Sequence, residues 1–352
     1  MSRLGNFAAR LYRGEASYDF VGRRKLLYSI SAVILALAIA GLAGRGLNLG
    51  IEFRGGAEFQ VAAANGSVEQ ARDVITGEGI ENPIVTQLGN GTLRIQTPDL
   101  TETETANVVA ALATAFEVPE AEVRVQIVGP SWGADITSKA TQALIWFLVL
   151  VSLFLAVTFE WRMAVAALIA LVHDVVITVG IYALTGFEVT PSTVIGVLTI
   201  LGFSLYDTVV VFDKVKENTK GIEKTSRSTY SFAANLALNQ TIVRSINTSI
   251  VALLPVAAIL VIGAGILGAG TLRDLSLALF VGMLAGTYSS LAIATPVLAQ
   301  LKERQPEFIA LAKRVADKGT QVAKSVAGGT PVVAGAADGR TAPRKRRPRS
   351  KR

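Results

Sequence analysis

Six long apolar runs, at about 26–43, 140–159, 163–185, 192–212, 245–267 and 275–299, leave this chain few ways to fold. Each approaches the ~20 residues that a helix needs to cross ~30 Å of hydrocarbon at ~1.5 Å per residue. No water reaches the middle of such a segment, so its backbone must hydrogen-bond internally, as a helix does. Hydrophobic residues make up 51% of the chain and charged residues only 17%, which is more apolar than a soluble core of 352 residues requires. The expected architecture is a polytopic α-helical membrane protein with six transmembrane helices, the first at 26–43 and the other five within 140–299.

Basic residues set the expected orientation. Arg3, Arg10, Arg13, Arg23, Arg24 and Lys25 precede the first run, while Lys214, Lys216, Lys220, Lys224 and Arg227 follow the fourth. Lys and Arg gather on the cytoplasmic side, so the N-terminal segment 1–25, the loop 214–240 and the tail 303–352 are expected there, with both termini. A basic leader of 25 residues is long for a signal peptide, so the first run is read as a span. "EWR" at 160–162 fits a tight cytoplasmic turn, and "TGFEVTP" at 185–191, without Lys or Arg, fits the outside. The net charge of +7 belongs to the tail, where 301–352 carries 14 Lys/Arg against 4 acids. That tail is rich in Gly, Ala and Pro before it closes on "APRKRRPRSKR", and it is expected to stay disordered. Anionic lipid or a ribosome would attract it; a solubilising anchor with no specific partner is the plainer reading.

Between the first two runs, residues 45–138 hold 13 acids and 5 Lys/Arg, and they read as one extracytoplasmic domain. The pattern is strand (57–63), helix (67–79), strand (83–89), an Asn90-Gly91 turn, strand (92–97), helix (101–116) and strand (122–129). Asn-Gly is a strong hairpin signal because both turn residues take positive φ. Ser67 with Gln70 resembles a capping box. The order β-α-β-β-α-β predicts an α+β, ferredoxin-like sandwich, a fold that says nothing of function by itself.

Few ionisable residues fall inside the apolar runs: His173 and Asp174 in the third, Asp207 in the fourth, Arg244 at the start of the fifth. A charge at the bilayer centre costs about 2.5–3.5 kcal/mol on insertion scales, and such residues mark ion or proton paths. Asp207 lies roughly 9 Å inside the end of its run at Asp213. Arg244 enters at comparable depth, so a carboxylate–guanidinium contact is expected. Desolvation disfavours a carboxylate and a nearby guanidinium favours it. Making and breaking the contact would therefore load and release a proton, whereas a static pair would only fix helix register. Thr190, Ser192, Thr193, Thr199, Ser204 and Thr208 at the fourth run, with Thr287, Ser289 and Ser290 on the sixth, can line a hydrated path or simply bond between helices. Gly282 and Gly286 form a G-x-x-x-G that offers a packing surface to a partner. Glu52, Arg54 and the pair Gly55-Gly56 read locally as loop charges and a turn. With no Cys, one His, no G-x-S-x-G and no Walker lysine motif, neither a metal site, a cofactor nor an enzyme's catalytic constellation is expected.

Several strings together carry a resemblance: "GIEFRGG" (50–56), "VGP" (128–130), "ALIALVHDVVITVG" (167–180), "TVIGVLTILGFSLYDTVVVFDKVKEN" (193–218), "NQTIVRSINTSIVALLP" (239–255) and "AGTYSSLAIATPVL" (285–298). In this order they resemble the SecF family of bacterial protein translocase subunits. The resemblance implies half of an RND-type transporter in the bacterial inner membrane, working with SecD, the SecYEG channel, an accessory subunit of the YajC kind and the translocating preprotein. It implies a proton-coupling role for Asp207 and Arg244, with Tyr206, Thr208, His173 and Asp174 as candidates for the path. It also makes Gly50, Glu52, Arg54, Gly55 and Gly56 a motif just outside the first span. Tyr206 stands where the family commonly has Asn, which puts the local proton relay in doubt. The basic tail lies outside the shared pattern. A half-transporter for small molecules or lipids is the alternative; one external domain from a single half leaves little room for the drug pocket that it would need.

Overall fold

The computed structural model describes residues 17–62, 66–88, 91–226, 228–266 and 270–327. Arg3, Arg10, Arg13, Asn90, Arg227 and the tail end 328–352, all used above, lie outside the described residues. Six helices are long and apolar enough to cross a membrane: Arg24–Arg45, Ser131–Thr158, Trp161–Thr185, Pro191–Lys224, Tyr230–Gly263 and Leu272–Glu303. Spans one to six below refer to these in order.

Local chemistry explains several ends. The third span stops at Gly186, which takes the left-handed conformation (φ 74°) that glycine adopts without a Cβ clash. The fourth opens on Thr190, whose side chain accepts from the Thr193 N–H while Thr193 returns the bond, with Pro191 at the first helical position. The sixth widens to a π-turn over Ser290–Ala294, just ahead of Pro296, whose ring removes a backbone donor.

Two expectations about length are corrected. Residues 214–219 and 230–240 are helix, not loop: the fourth helix runs to Thr219 and the fifth begins at Tyr230, capped by Thr229. Arg244 therefore sits well inside its helix. Polar residues of a helix that leaves the hydrocarbon keep its backbone bonds, so the apolar run marks the buried part and not the helix ends. The tail also departs from the disorder expected of it: Pro306–Ala327 is a helix. Its residues Phe308, Leu311 and Val315 pack against Ile222 and Ala233, an i, i+3, i+7 stripe that composition alone conceals.

Close approach between spans falls where side chains are small. A Cβ on Gly180 of the third span would lie 2.1 Å from Ala38 of the first, and one on Gly282 of the sixth would lie 2.1 Å from Ile200 of the fourth. A Cβ on Gly286 would meet Ser204 of the fourth at 2.8 Å. The G-x-x-x-G face is thus consumed inside the chain and is not open to a partner, a correction that only the helix rotation reveals. The second span stays lightly packed, with Trp146, Leu150, Leu153 and Val157 exposed.

Between the first two spans, strands β2 (Gly56–Ala62), β3 (Ile84–Gln87), β4 (Thr92–Thr97) and β5 (Arg124–Val128) form an antiparallel sheet in the order β3-β4-β2-β5. Phe59, Val61, Leu93 and Ile95 alternate inward and bury completely against Ile75 and Leu112 of helices Val68–Gly77 and Glu102–Ala115. The Ser67 side chain caps its helix from the Gln70 N–H, but Gln70 Nε2 turns to Ala115 O; the reciprocal box expected there forms instead between Thr101 and Glu104. A second, two-residue pairing runs parallel between β1 (Asn48–Leu49) after the first span and β6 (Glu188–Val189) before the fourth.

Candidate functional site

Two carboxylates lie near the middle of the helical bundle. Asp174 on the third span is 1% exposed and Asp207 on the fourth is 5% exposed. Neither meets an arginine among the described residues. Asp207 Oδ1 accepts from Ser245 Oγ of the fifth span at 2.6 Å, and Oδ2 accepts from Ser290 Oγ of the sixth at 2.5 Å. Asp174 Oδ2 accepts from Ser204 Oγ at 2.5 Å and from Ser289 Oγ at 2.8 Å, while Oδ1 lies 3.3 Å from His173 Nδ1. Consecutive serines of the sixth span thus serve different carboxylates, one on each side, where that helix enters its π-turn.

The expected Asp207–Arg244 contact is not formed. Successive residues on a helix point about 100° apart, so Ser245, not Arg244, faces the core beside Asp207. Arg244 Nη2 donates instead to the Tyr206 hydroxyl at 2.9 Å, and both side chains are exposed on the outer face of the bundle. Among the described residues no Lys or Arg forms an ion pair with either carboxylate. Thr208 is buried next to Asp207 but takes no part in these bonds.

Hydrogen bonds continue from Asp174 toward the first span. His173 Nε2 lies 3.2 Å from Ser31 Oγ, which lies 3.1 Å from the Tyr288 hydroxyl, itself a donor to Leu27 O. The His173 and Tyr288 rings stack with centroids 6.0 Å apart. On the other side, Thr287 Oγ1 donates to Ser249 Oγ at 2.8 Å, and Ser249 bonds back to Ser245 O. Ser204, Ser289 and Ser290, which the sequence offers among its path-lining hydroxyls, carry most of this site with Ser245, which nothing in its apolar run marks out.

The motif at 50–56 builds a joint rather than a loop. Gly50 N donates to Val189 O at 2.9 Å; Ile51–Arg54 is one helical turn closed by Gly55 at φ 80°. Gly56 has φ 131°, and a Cβ there would lie 2.3 Å from Thr97 O. Arg54 Nη2 donates to Leu47 O, and one Glu52 oxygen is buried without a hydrogen-bond partner. Beside it, Arg94 bridges Glu58 and Glu188. Burial raises the pKa of Glu188 while Arg94 acts to lower it. Burial works against the Arg94 charge, but Glu58 and Glu188 outweigh it and hold its pKa above the ordinary arginine value. Among the described residues no group of three or more His, Cys, Asp or Glu is arranged to hold a metal.

Comparison with known proteins bears on both regions. Residues 108–304 match the family described as "Protein export membrane protein SecD/SecF, C-terminal", and residues 40–66 match the "SecD/SecF GG Motif". The chain is 54% identical over 322 residues to the protein translocase subunit SecF of Streptomyces coelicolor, covering 91% of this chain and 86% of that protein. Against the SecF of Mycobacterium tuberculosis the identity is 45% over 316 residues, covering 86% and 72%. Among solved structures, SecDF of Thermus thermophilus, titled a translocon-associated membrane protein, superposes with a TM-score of 0.75 at 30% identity. That match covers 83% of this chain and 39% of the SecDF chain.

Proposed function

Since this chain belongs to the SecD/SecF family of protein export membrane proteins, we propose that it passes protons near Asp207 and converts their passage into helix and domain movement that assists preprotein export. In this reading it is a multi-pass Sec translocase subunit of the bacterial inner membrane, a transport component and not an enzyme. It works with a SecD-like partner beside SecYEG, with both termini in the cytoplasm. The βαββαβ unit, read as a ferredoxin-like sandwich from its strand order, lies outside. The Thermus relative is named SecDF, and this chain covers only 39% of it, which leaves room there for the other half.

One observation carries the proposal: two buried carboxylates in mid-bundle are solvated by serine hydroxyls, with His173 beside Asp174 and, among the described residues, no ion pair to a Lys or Arg. An ionised carboxylate in an apolar interior is costly, and hydroxyl donors offset only part of that cost. A proton removes it. Because a serine hydroxyl both donates and accepts, the same serines bond a carboxylate or a carboxylic acid by turning their hydrogens. The network is therefore suited to both protonation states. The π-turn at Ser290 sits where a small rotation would exchange one partner for another, and such turns collect at functional sites. His173, Ser31 and Tyr288 extend the polar line from Asp174. One charge moving through 100 mV supplies ~2.3 kcal/mol, enough to shift a two-state equilibrium by roughly fiftyfold.

Arg244 takes a different role from the counter-ion expected of it. It faces out of the bundle near the middle of its helix, bonded to Tyr206. A guanidinium at that depth needs an acceptor, and in this reading the SecD-like partner supplies one. The decisive experiment is Asp207→Asn, reconstituted with a SecD-like partner and SecYEG under an imposed proton gradient. Asn keeps the shape and can bond both serines, so abundance should be retained while gradient-driven preprotein release falls. Normal release at normal abundance would remove Asp207 from the mechanism.

A further inference from the structure

We infer that Arg94 pins the external domain to the start of the fourth span, and that its grip on Glu188 transmits movement between the sheet and the helix carrying Asp207. The inference rests on the proton-coupled reading above, but on different residues.

The geometry is that of a clamp. Arg94 sits on β4; its Nε and Nη2 reach Glu58 Oε2 on the neighbouring strand β2 at 2.7 and 2.6 Å, and its Nη1 reaches Glu188 Oε2 at 2.7 Å. Gln96, two residues along β4, donates through Nε2 to the same two carboxylates, at 3.2 Å to Glu58 and 2.6 Å to Glu188. Side-chain exposure is 13% for Arg94, 5% for Glu58 and 12% for Glu188, so these bonds are largely shielded from water. The planar guanidinium reaches the two carboxylates through separate nitrogens held in one rigid fork, a geometry that the single nitrogen of a lysine does not reproduce.

Glu188 has almost no slack toward the fourth span. It lies two residues before the helix cap Thr190, and its carbonyl accepts from Thr193 Oγ1 at 3.4 Å. Its strand is pinned on the other side by parallel pairing to Asn48–Leu49. Gly50 shows how tight the joint is: a Cβ there would lie 2.4 Å from Glu52 Oε2 and 2.8 Å from Glu188 Oε1. The sheet itself is attached through Gly55-Gly56, whose positive φ values are open to glycine at low cost. A swing about that point reaches the fourth span through whatever ties the sheet to Glu188, and Arg94 does so with Gln96 beside it. Arg94 is a positioning residue in this scheme, acting on Asp207 through the helix between them.

The test uses the full chain with its SecD-like partner and SecYEG in vesicles, with Asp207→Asn run alongside. Arg94→Lys keeps the charge and loses the fork; Glu188→Ala removes the acceptor from the joint, and serves if the first variant accumulates poorly. At normal abundance, amide hydrogen exchange across 186–193 should quicken by roughly tenfold, and gradient-driven release should fall by roughly five- to tenfold, with proton uptake retained. Release within about twofold of the unaltered protein, in a preparation where Asp207→Asn is impaired, overturns the joint. Unimpaired Asp207→Asn overturns the proton reading instead, so the two failures are distinguishable.

Discussion

Asp207 and Arg244 stand on adjacent helices and face different ways: the carboxylate turns inward to Ser245 at 2.6 Å, while the guanidinium turns outward to Tyr206 at 2.9 Å. Two neighbouring pairs of residues, 206/207 and 244/245, are thus divided between the surface and the core by one residue's rotation. Replacing the acid therefore strands no buried arginine.

The two residues should therefore differ in what they cost the isolated chain. Arg244→Ala, at an exposed position, is expected to change stability in detergent by no more than ~0.5 kcal/mol. Asp207→Ala leaves two buried serine hydroxyls without their acceptor and should cost about 1–3 kcal/mol. Thermal unfolding of the two variants ranks them; an Arg244→Ala loss as large as that of Asp207→Ala would mean that the guanidinium does reach the core. Co-purification with a SecD-like partner should show the reverse order.

Ser289 and Ser290 should be separable although they are adjacent. In a double-mutant cycle, Ser290→Ala and Asp207→Asn are expected to couple by ~0.5 kcal/mol or more, and Ser289→Ala with Asp207→Asn by less. Equal coupling from both serines would show that the two carboxylates behave as one site.

Gly282 gives a test of packing within the chain. A Cβ at this position meets Ile200 side-chain atoms at 2.1–2.8 Å, so Gly282→Leu should cost the isolated chain about 1–3 kcal/mol through overpacking. Ile200→Ala in the same chain should restore part of the loss. If only binding of the partner weakens, and the lone chain is unaffected, this face packs elsewhere.

Glu188 predicts a pH dependence of the joint. It is faced by Glu58 and Arg94 from the sheet, by Glu52 from the turn, and Asp274 with Arg273 lies close by at the start of the sixth span. Burial raises the pKa of Glu188 above the ordinary glutamate value, Arg94 and Gln96 offset only part of the rise, and Glu58 and Glu52 add a little to it. The docked joint then holds a proton more tightly than the opened one, so its stability falls as pH rises through the docked-state value. The contribution is complete below the unfolded glutamate value of about 4.3 and fades above it. Exchange across 186–193, corrected for intrinsic rates, should rise as pH is raised from that point, and Glu188→Gln should flatten the dependence. A slope that Glu188→Gln leaves unchanged would assign the titration to another group.

Much of the fold is legible in the chain because it depends on local quantities. The length of an apolar run requires a helix in hydrocarbon, period-two alternation at Phe59, Val61, Leu93 and Ile95 marks strands, and Asp174 and Asp207 stand out because charge is scarce among apolar residues. The ends of the fourth and fifth helices escape that reasoning, since polar residues continue a helix as well as apolar ones do. So does the helix at 306–327, whose apolar stripe is hidden in a composition that suggests disorder.

The partners were decided only by the tertiary structure. Depth along a helix follows from counting residues, and it placed Arg244 level with Asp207. Direction follows from rotation, which is set by the packing of all six helices, and a step of about 100° exchanges Arg244 for Ser245. The same holds for Gly282, whose partner is Ile200 within the chain, and for Glu188, an ordinary loop acid until Arg94 of the four-stranded sheet closes on it. What the linear chain determines is which groups must be buried or stand out; which groups meet is a property of the packed bundle.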